Sequence, residues 1–121
     1  MKALVVEDTP DLRFLLQTIL EGLGWTTVGA EHGRAALEAL KTKGPFDLAT
    51  VDIFMPVMDG YSFVEAVRKD PAHKGMKIMM VSTEMEKSSV DKALKLGADE
   101  YLFKPFMRDM VEGKLKIMGF L

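Results

Sequence analysis

Leu48-Ala49-Thr50-Val51, closed by Asp52, is a short apolar run that stops on a carboxylate. Three runs like it lie elsewhere in the chain, at Ala3–Val6, Ile78–Val81 and Tyr101–Phe103. Each is too short for a helix, draws on Val, Leu, Ile and Met, and does not alternate with polar residues. Runs of this kind suit strands buried on both faces of a parallel sheet. A weaker fifth pattern lies at Thr26–Ala30.

Helix-period segments fill the intervals. Leu12, Leu15, Leu16, Ile19, Leu20 and Leu23 form one apolar stripe, with Pro10 in its first turn and Gly22 and Gly24 marking its end. Further helices are predicted over Gly33–Lys41, Tyr61–Lys69 (closed by Pro71), Ser89–Leu96 (stopped by Gly97) and Arg108–Met118, the last weakened by Gly113. Strand then helix, five times over, predicts an α/β fold. It is a doubly wound, five-stranded parallel sheet with helices on both faces and right-handed crossovers. No linker, repeat or low-complexity tract interrupts it, and one domain over residues 1–121 is expected.

The bulk composition narrows the function. Sixteen basic against eighteen acidic residues give a formal charge of −2, which argues against a nucleic-acid or anionic-membrane binder. The absence of cysteine excludes a disulfide framework and a thiolate metal site, and suits the reducing cytoplasm. No apolar stretch approaches the roughly 18 residues needed to cross a bilayer. The apolar start at Ala3–Val6 is cut short by Glu7-Asp8, unlike a signal peptide. Ten methionines suit adaptable core filling, with a re-packable partner surface as the alternative.

In such a sheet ligands sit beyond the carboxyl ends of the strands, so the residues just after each run carry the information. They are Glu7 and Asp8, Asp52, Ser82 and Lys104. Each alone has an ordinary explanation as a helix cap, a turn residue or a surface charge. Four separate strand ends converging on three carboxylates, a hydroxyl and an ammonium do not. Crowded carboxylates either stay partly protonated or recruit a cation. With hard oxygen donors only, and His32 and His73 both away from the cluster, that cation is Mg²⁺ or Mn²⁺. Magnesium prefers few carboxylates plus a phosphate oxygen, Lys104 offers that phosphate a point charge, and Ser82 offers a hydrogen bond. A carboxylate can itself be the nucleophile in phosphoryl transfer, and Asp52, on the central strand, is the best placed.

The motifs at these positions are Val5-Val6-Glu7-Asp8, Val51-Asp52, Met55-Pro56-Val57-Met58-Asp59-Gly60, Met80-Val81-Ser82 and Lys104-Pro105-Phe106. Asp8 and Asp52 are separated by 44 positions, and Asp52 and Lys104 by 52. In these features the chain resembles the receiver family of two-component signalling along its full length. The resemblance implies a CheY-like, flavodoxin-like (βα)5 fold and a switch rather than an enzyme. A histidine kinase would phosphorylate Asp52. Mg²⁺ would be held by Glu7 or its water, Asp8, Asp52 and the backbone carbonyl of Phe54. Ser82, with Thr83 beside it, and Tyr101 resemble the switch set, in which the hydroxyl moves toward the phosphoryl group and the aromatic ring turns inward. Pro56, Gly60 and Pro105 resemble the residues that shape the loops, and the Lys104-Pro105 bond is expected to be cis.

The resemblance is strongest to single-domain chemotaxis receivers, through Ser82-Thr83-Glu84 and Lys114-Leu115-Lys116-Ile117-Met118-Gly119. It implies a monomer without an output domain that docks through its fourth helix, fifth strand and fifth helix. The flagellar motor switch is the implied target, and a phosphatase is a further possible partner. Phe54 departs from the pattern, because the family often carries a polar residue, frequently Asn, two positions after the phosphorylated Asp. Phe54 and Glu84 are therefore the expected tuners of phosphate lifetime.

Three rivals remain open. A phosphatase with an Asp nucleophile typically wants a second Asp two positions on, where this chain has Phe54. A flavin carrier wants a first loop rich in Ser, Thr and Gly to cradle a phosphate, whereas Glu7-Asp8-Thr9-Pro10 repels one unless a metal intervenes. A phosphorelay or cell-cycle receiver keeps the fold and changes only the target.

Overall fold

The computed structural model describes all 121 residues. Its elements in chain order are β1 (Lys2–Val6), α1 (Pro10–Gly22), β2 (Thr26–Ala30), α2 (Gly33–Lys43), β3 (Leu48–Asp52), α3 (Gly60–Lys69), β4 (Lys77–Ser82), α4 (Lys87–Leu96), β5 (Glu100–Phe103) and α5 (Arg108–Ile117). The five strands form one parallel sheet in the order β2-β1-β3-β4-β5. The chain steps from β1 outward to β2 and then crosses back to β3. The order therefore reverses between β1 and β3, where Val6 lies opposite Val51.

Alternation along each strand divides the core in two. Leu4, Val6, Ala49, Val51, Ile78, Met80 and Tyr101 face α2, α3 and α4. Ala3, Val5, Leu48, Met79, Val81 and Leu102 face α1 and α5. Period-two side chains buried on both faces explain why the runs read as continuously apolar. The weak pattern at β2 has its cause in the topology, because β2 is an edge strand with only Ala30 buried. At the other edge Phe103 is 37 % exposed.

Several boundaries differ from the sequence reading. Asp52 and Ser82 are the last residues of β3 and β4 rather than the first residues beyond them. Helix α4 begins at Lys87, two residues earlier than predicted, and α2 continues to Lys43. A 3₁₀ turn at Pro71–His73, whose first turn is capped by Asp70 Oδ1 accepting from the Ala72 N–H at 3.0 Å, had no periodic signal to reveal it. Helix α5 runs through Gly113, where an added Cβ would meet nothing within 4 Å. The Lys104-Pro105 peptide is cis as expected, and so is Gly44-Pro45.

Candidate functional site

The acidic loop is held from both sides. The Thr9 N–H donates to Glu7 Oε2 at 3.2 Å, and Arg13 in the first turns of α1 donates to the Glu7 carbonyl at 2.7 Å. Arg13 was not foreseen as part of the site. The available signal is a guanidinium six positions after Glu7 on a helix that begins beside it. Glu7 and Asp52 are buried (4 % and 6 % exposed), whereas Asp8 is half-buried. Carboxylate oxygens of Glu7, Asp8 and Asp52 all lie within 4.8 Å of one another. Lys104 enters from beyond β5, its Nζ 2.7 Å from Glu7 Oε1 and 3.6 Å from Asp52 Oδ2. The ammonium is thus closer to Glu7 than to the proposed acceptor.

One ammonium against three carboxylates leaves the cluster under-neutralised. Burial, then the Glu7 charge, pushes the Asp52 carboxyl up to about 7 from an ordinary 3.8, although Lys104 pulls the other way. Asp52 is therefore largely protonated below neutrality until further positive charge arrives. Three hard-oxygen donors within one ion's reach and a carboxylate destabilised by its neighbours fit a small divalent cation.

The loop leaving β3 is shaped by backbone contacts. The Phe54 N–H donates to Asp52 Oδ1 at 3.3 Å, and the Gly60 N–H donates to the Ile53 carbonyl at 2.8 Å. A Cβ at Gly60 would lie 2.3 Å from the Asp52 carbonyl oxygen, so the close return of the loop requires glycine. Val57, β-branched, sits at φ 70° in this loop, the only non-glycine residue with positive φ. The Phe54 ring is 58 % exposed, and Pro56 is exposed too.

Ser82 is buried at the end of β4, with Oγ accepting the Glu84 N–H at 3.1 Å. Tyr101 is 4 % exposed and donates its hydroxyl to the Glu84 carbonyl at 2.9 Å. Its ring is therefore turned inward, and burial pushes its hydroxyl pKa up. Thr83 is exposed and Glu84 half-buried. The largest concavity, about 570 Å³, lies at the opposite, amino-terminal end of the strands among Arg68, Lys69 and Lys77. Concavity would misplace the site that charge and burial locate.

The receiver-domain model for response regulators matches residues 3–116. The chain belongs to the response regulator receiver family. Chemotaxis protein CheY1 of Helicobacter pylori is 37% identical over 119 residues, covering 98% of this chain and 96% of that protein. Chemotaxis protein CheY of Pseudomonas aeruginosa is 33% identical over 117 residues, covering 96% and 94%. A high-resolution structure of the chemotaxis response regulator CheY4 of Vibrio cholerae superposes with a TM-score of 0.90 at 33% identity, covering 96% of both chains. This receiver is thus of the CheY type, and a two-component role with a histidine kinase upstream and a target downstream follows from its family. No helix is long and apolar enough to cross a membrane.

Proposed function

We propose that this single receiver domain, spanning residues 1–121 and working in the cytoplasm, is a magnesium-dependent switch. It accepts a phosphoryl group on Asp52 and signals by docking rather than by catalysing a reaction on a separate substrate. The observation that carries the reading is the cluster of Glu7, Asp8 and Asp52 within 4.8 Å, with the Lys104 ammonium against it.

Glu7, Asp8 and Asp52, with the Phe54 carbonyl, would hold the cation. When bound it supplies the positive charge that the cluster lacks, favouring the carboxylate form of Asp52 and neutralising the incoming phosphoryl oxygens. An Asp52 oxygen attacks phosphorus, the new O–P bond forms an acyl phosphate, and the N–P bond of the donor phosphohistidine breaks with its electron pair returning to the imidazole. Lys104 stands ready as a point charge for the transferred group. Ser82, at the end of the adjacent strand, donates its hydroxyl hydrogen to a phosphoryl oxygen while Oγ keeps the Glu84 N–H. Thr83 lies beside it on the phosphate-facing loop. Tyr101, inward and bonded to Glu84, reports that arrangement to the surface of α4, β5 and α5. Leu94, Phe103 and Met110 offer that surface exposed apolar contacts of 45 %, 37 % and 39 %.

The names of the chemotaxis relatives support a motor-switch target. The exposed Phe54 ring beside the acceptor, with Glu84, would set how readily water or a phosphatase reaches the acyl phosphate. The experiment is phosphorylation by acetyl phosphate with and without Mg²⁺, in wild type and Asp52→Ala, followed by mass spectrometry. Beryllofluoride-treated protein is then tested for binding to a purified flagellar motor-switch protein. Uptake that persists in Asp52→Ala, or that ignores Mg²⁺, would end the reading of the site. Absence of switch-protein binding would replace the motor by a phosphorelay or cell-cycle target.

A further inference from the structure

Helix α4 is seated differently from its neighbours on the same sheet face. Helices α2 and α3 each bury four residues, whereas α4 buries Ala93 alone. Glu86 precedes it without a side-chain cap, and Val90 and Leu96 are only partly buried. Most helix stability in proteins comes from packing an apolar face, and α4 has little of one.

Two side chains of α3 supply the missing attachment. The Tyr61 hydroxyl donates to the Ser89 carbonyl in the first turn of α4 at 3.4 Å, a long bond, and the Lys92 ammonium lies 4.2 Å from the centroid of the same ring. At the other end Arg68 Nε donates to the Gly97 carbonyl at 2.9 Å. Its Nη1 donates to the His73 carbonyl at 3.2 Å and its Nη2 to Asp99 Oδ2 at 2.9 Å. Asp99 Oδ2 also accepts the Ile78 N–H at 2.8 Å, which anchors the fork to the sheet. Gly97, at φ +119°, permits the approach, because a Cβ there would meet Arg68 Cγ at 2.5 Å. Tyr61 and Arg68 lie two turns apart on one face of α3, about 10 Å, and Ser89 and Gly97 are about 12 Å apart along α4. The pins match end to end.

The connection back to the site is short. The loop from β4 to α4 is held by the Tyr101 hydroxyl at the Glu84 carbonyl, and the first turn of α4 that follows it by the Tyr61 hydroxyl at the Ser89 carbonyl. The Glu84 N–H bonds Ser82 Oγ. Where α4 sits therefore bears on where the Ser82 hydroxyl sits.

We propose that Tyr61 and Arg68 are positioning residues: they hold α4, and with it the Glu84 loop, in the arrangement that keeps Tyr101 inward and Ser82 ready for a phosphoryl group. The inference rests on the reading of Asp52 as the phosphoryl acceptor. Losing the pins depopulates the competent arrangement and weakens apparent affinity by the same fraction.

The test compares wild type with Tyr61→Phe, Arg68→Lys and the double variant. Amide exchange by mass spectrometry is read over residues 84–97, and beryllofluoride affinity with Mg²⁺ by calorimetry. A lost net hydrogen bond is worth roughly a five-fold change, so Tyr61→Phe exchanges about five-fold faster in that segment and Arg68→Lys, which gives up more than one bond, faster still, with the strands unchanged. Beryllofluoride affinity falls only in proportion to the competent population, so the loss is small in each single variant and largest in the double variant. Tyr61→Phe keeps the ring and its packing, so it separates the bond from bulk stability. Exchange that is unchanged over 84–97, or faster everywhere alike, overturns the proposal, as does a double variant whose exchange over 84–97 is faster while its beryllofluoride affinity equals that of wild type. Wild type that binds no beryllofluoride, and takes no phosphoryl group from acetyl phosphate, sinks the reading of the site itself and the inference with it.

Discussion

Replacing Asp52 with Asn should make the metal-free protein more stable at pH 8 and leave it nearly unaffected at pH 4. Asp52 has its carboxyl pushed up to about 7 from 3.8, chiefly by burial and by Glu7. At about 1.4 kcal/mol per pH unit, that shift corresponds to an upper limit of roughly 4 kcal/mol. Relaxation of the pocket and solvent at half-buried Asp8 cut this to about 2 kcal/mol. The sign follows from proton binding. Below pH 4 the folded and unfolded chains both carry the proton, and Asp52 favours neither. Between about pH 4 and pH 7 the folded chain keeps a proton that the unfolded chain has released, so stability falls as pH rises. Above pH 7 the full deficit is present. Asn carries no charge and escapes it, while Lys104 retains Glu7 at 2.7 Å. For a chain of this size the gain at pH 8 is a rise in melting temperature of about 8 °C, read by circular dichroism in a chelator. Millimolar Mg²⁺ should then stabilise wild type far more than the variant. A variant no more stable than wild type at pH 8, or equally stabilised at pH 4, would show that the carboxylate cluster stores no repulsion.

Three further substitutions probe the surroundings. Gly60→Ala drives a Cβ to 2.3 Å from the Asp52 carbonyl oxygen and 2.8 Å from Ile53 Cα, both main chain. It should cost about 3 kcal/mol in urea unfolding, and a loss under 1 kcal/mol would mean that the loop yields freely. Thr50, 1 % exposed, has an Oγ1 without a hydrogen-bond partner. Thr50→Val should therefore gain about 1 kcal/mol, whereas a loss would reveal a partner for that hydroxyl. Phe54→Asn should shorten the lifetime of the acyl phosphate, followed by the decay of phosphorylated protein after donor removal. An unchanged rate would remove Phe54 from the control of hydrolysis.

The parts of the molecule legible from sequence are those in which one residue type repeats for one physical reason. β1, β3 and β4 bury both faces, so Ala3–Val6, Leu48–Val51 and Ile78–Val81 declare themselves with no reference to partners. Strand β2 lies at an edge and loses half of that signal. Helix α4 buries a single residue and was placed two positions late. Asp8, Asp52, Ser82 and Lys104 were legible because a parallel sheet turns strand ends into neighbours, a rule that needs only the element order. Tyr61 and Arg68 were not. Their partners Ser89 and Gly97 lie 28 and 29 residues away, and the bonds go to backbone carbonyls, which any residue carries. Thr50 was equally invisible, since its orphaned hydroxyl depends on what Val5 and Met79 fail to offer across the sheet.

The same distinction bears on how a switch can be built from so ordinary a fold. The pocket is the one place where burial and charge oppose each other: Glu7 and Asp52 lie in a buried edge with half-buried Asp8 and a single ammonium. A well-packed core offers no response to a ligand that carries only charge, because it contains nothing for charge to relieve. An under-neutralised cluster does, since a cation or a phosphoryl group alters the balance by whole charges at a few ångströms, where water screens poorly. That change reaches the surface only if some attached element is held weakly enough to answer it. Helix α4, with one buried side chain and two polar pins, is such an element, and α2 and α3, with four buried residues each, are not. On the proposed reading of Asp52 as the phosphoryl acceptor, a signal entering there would leave on the side of α4, because that is where the least packing opposes it.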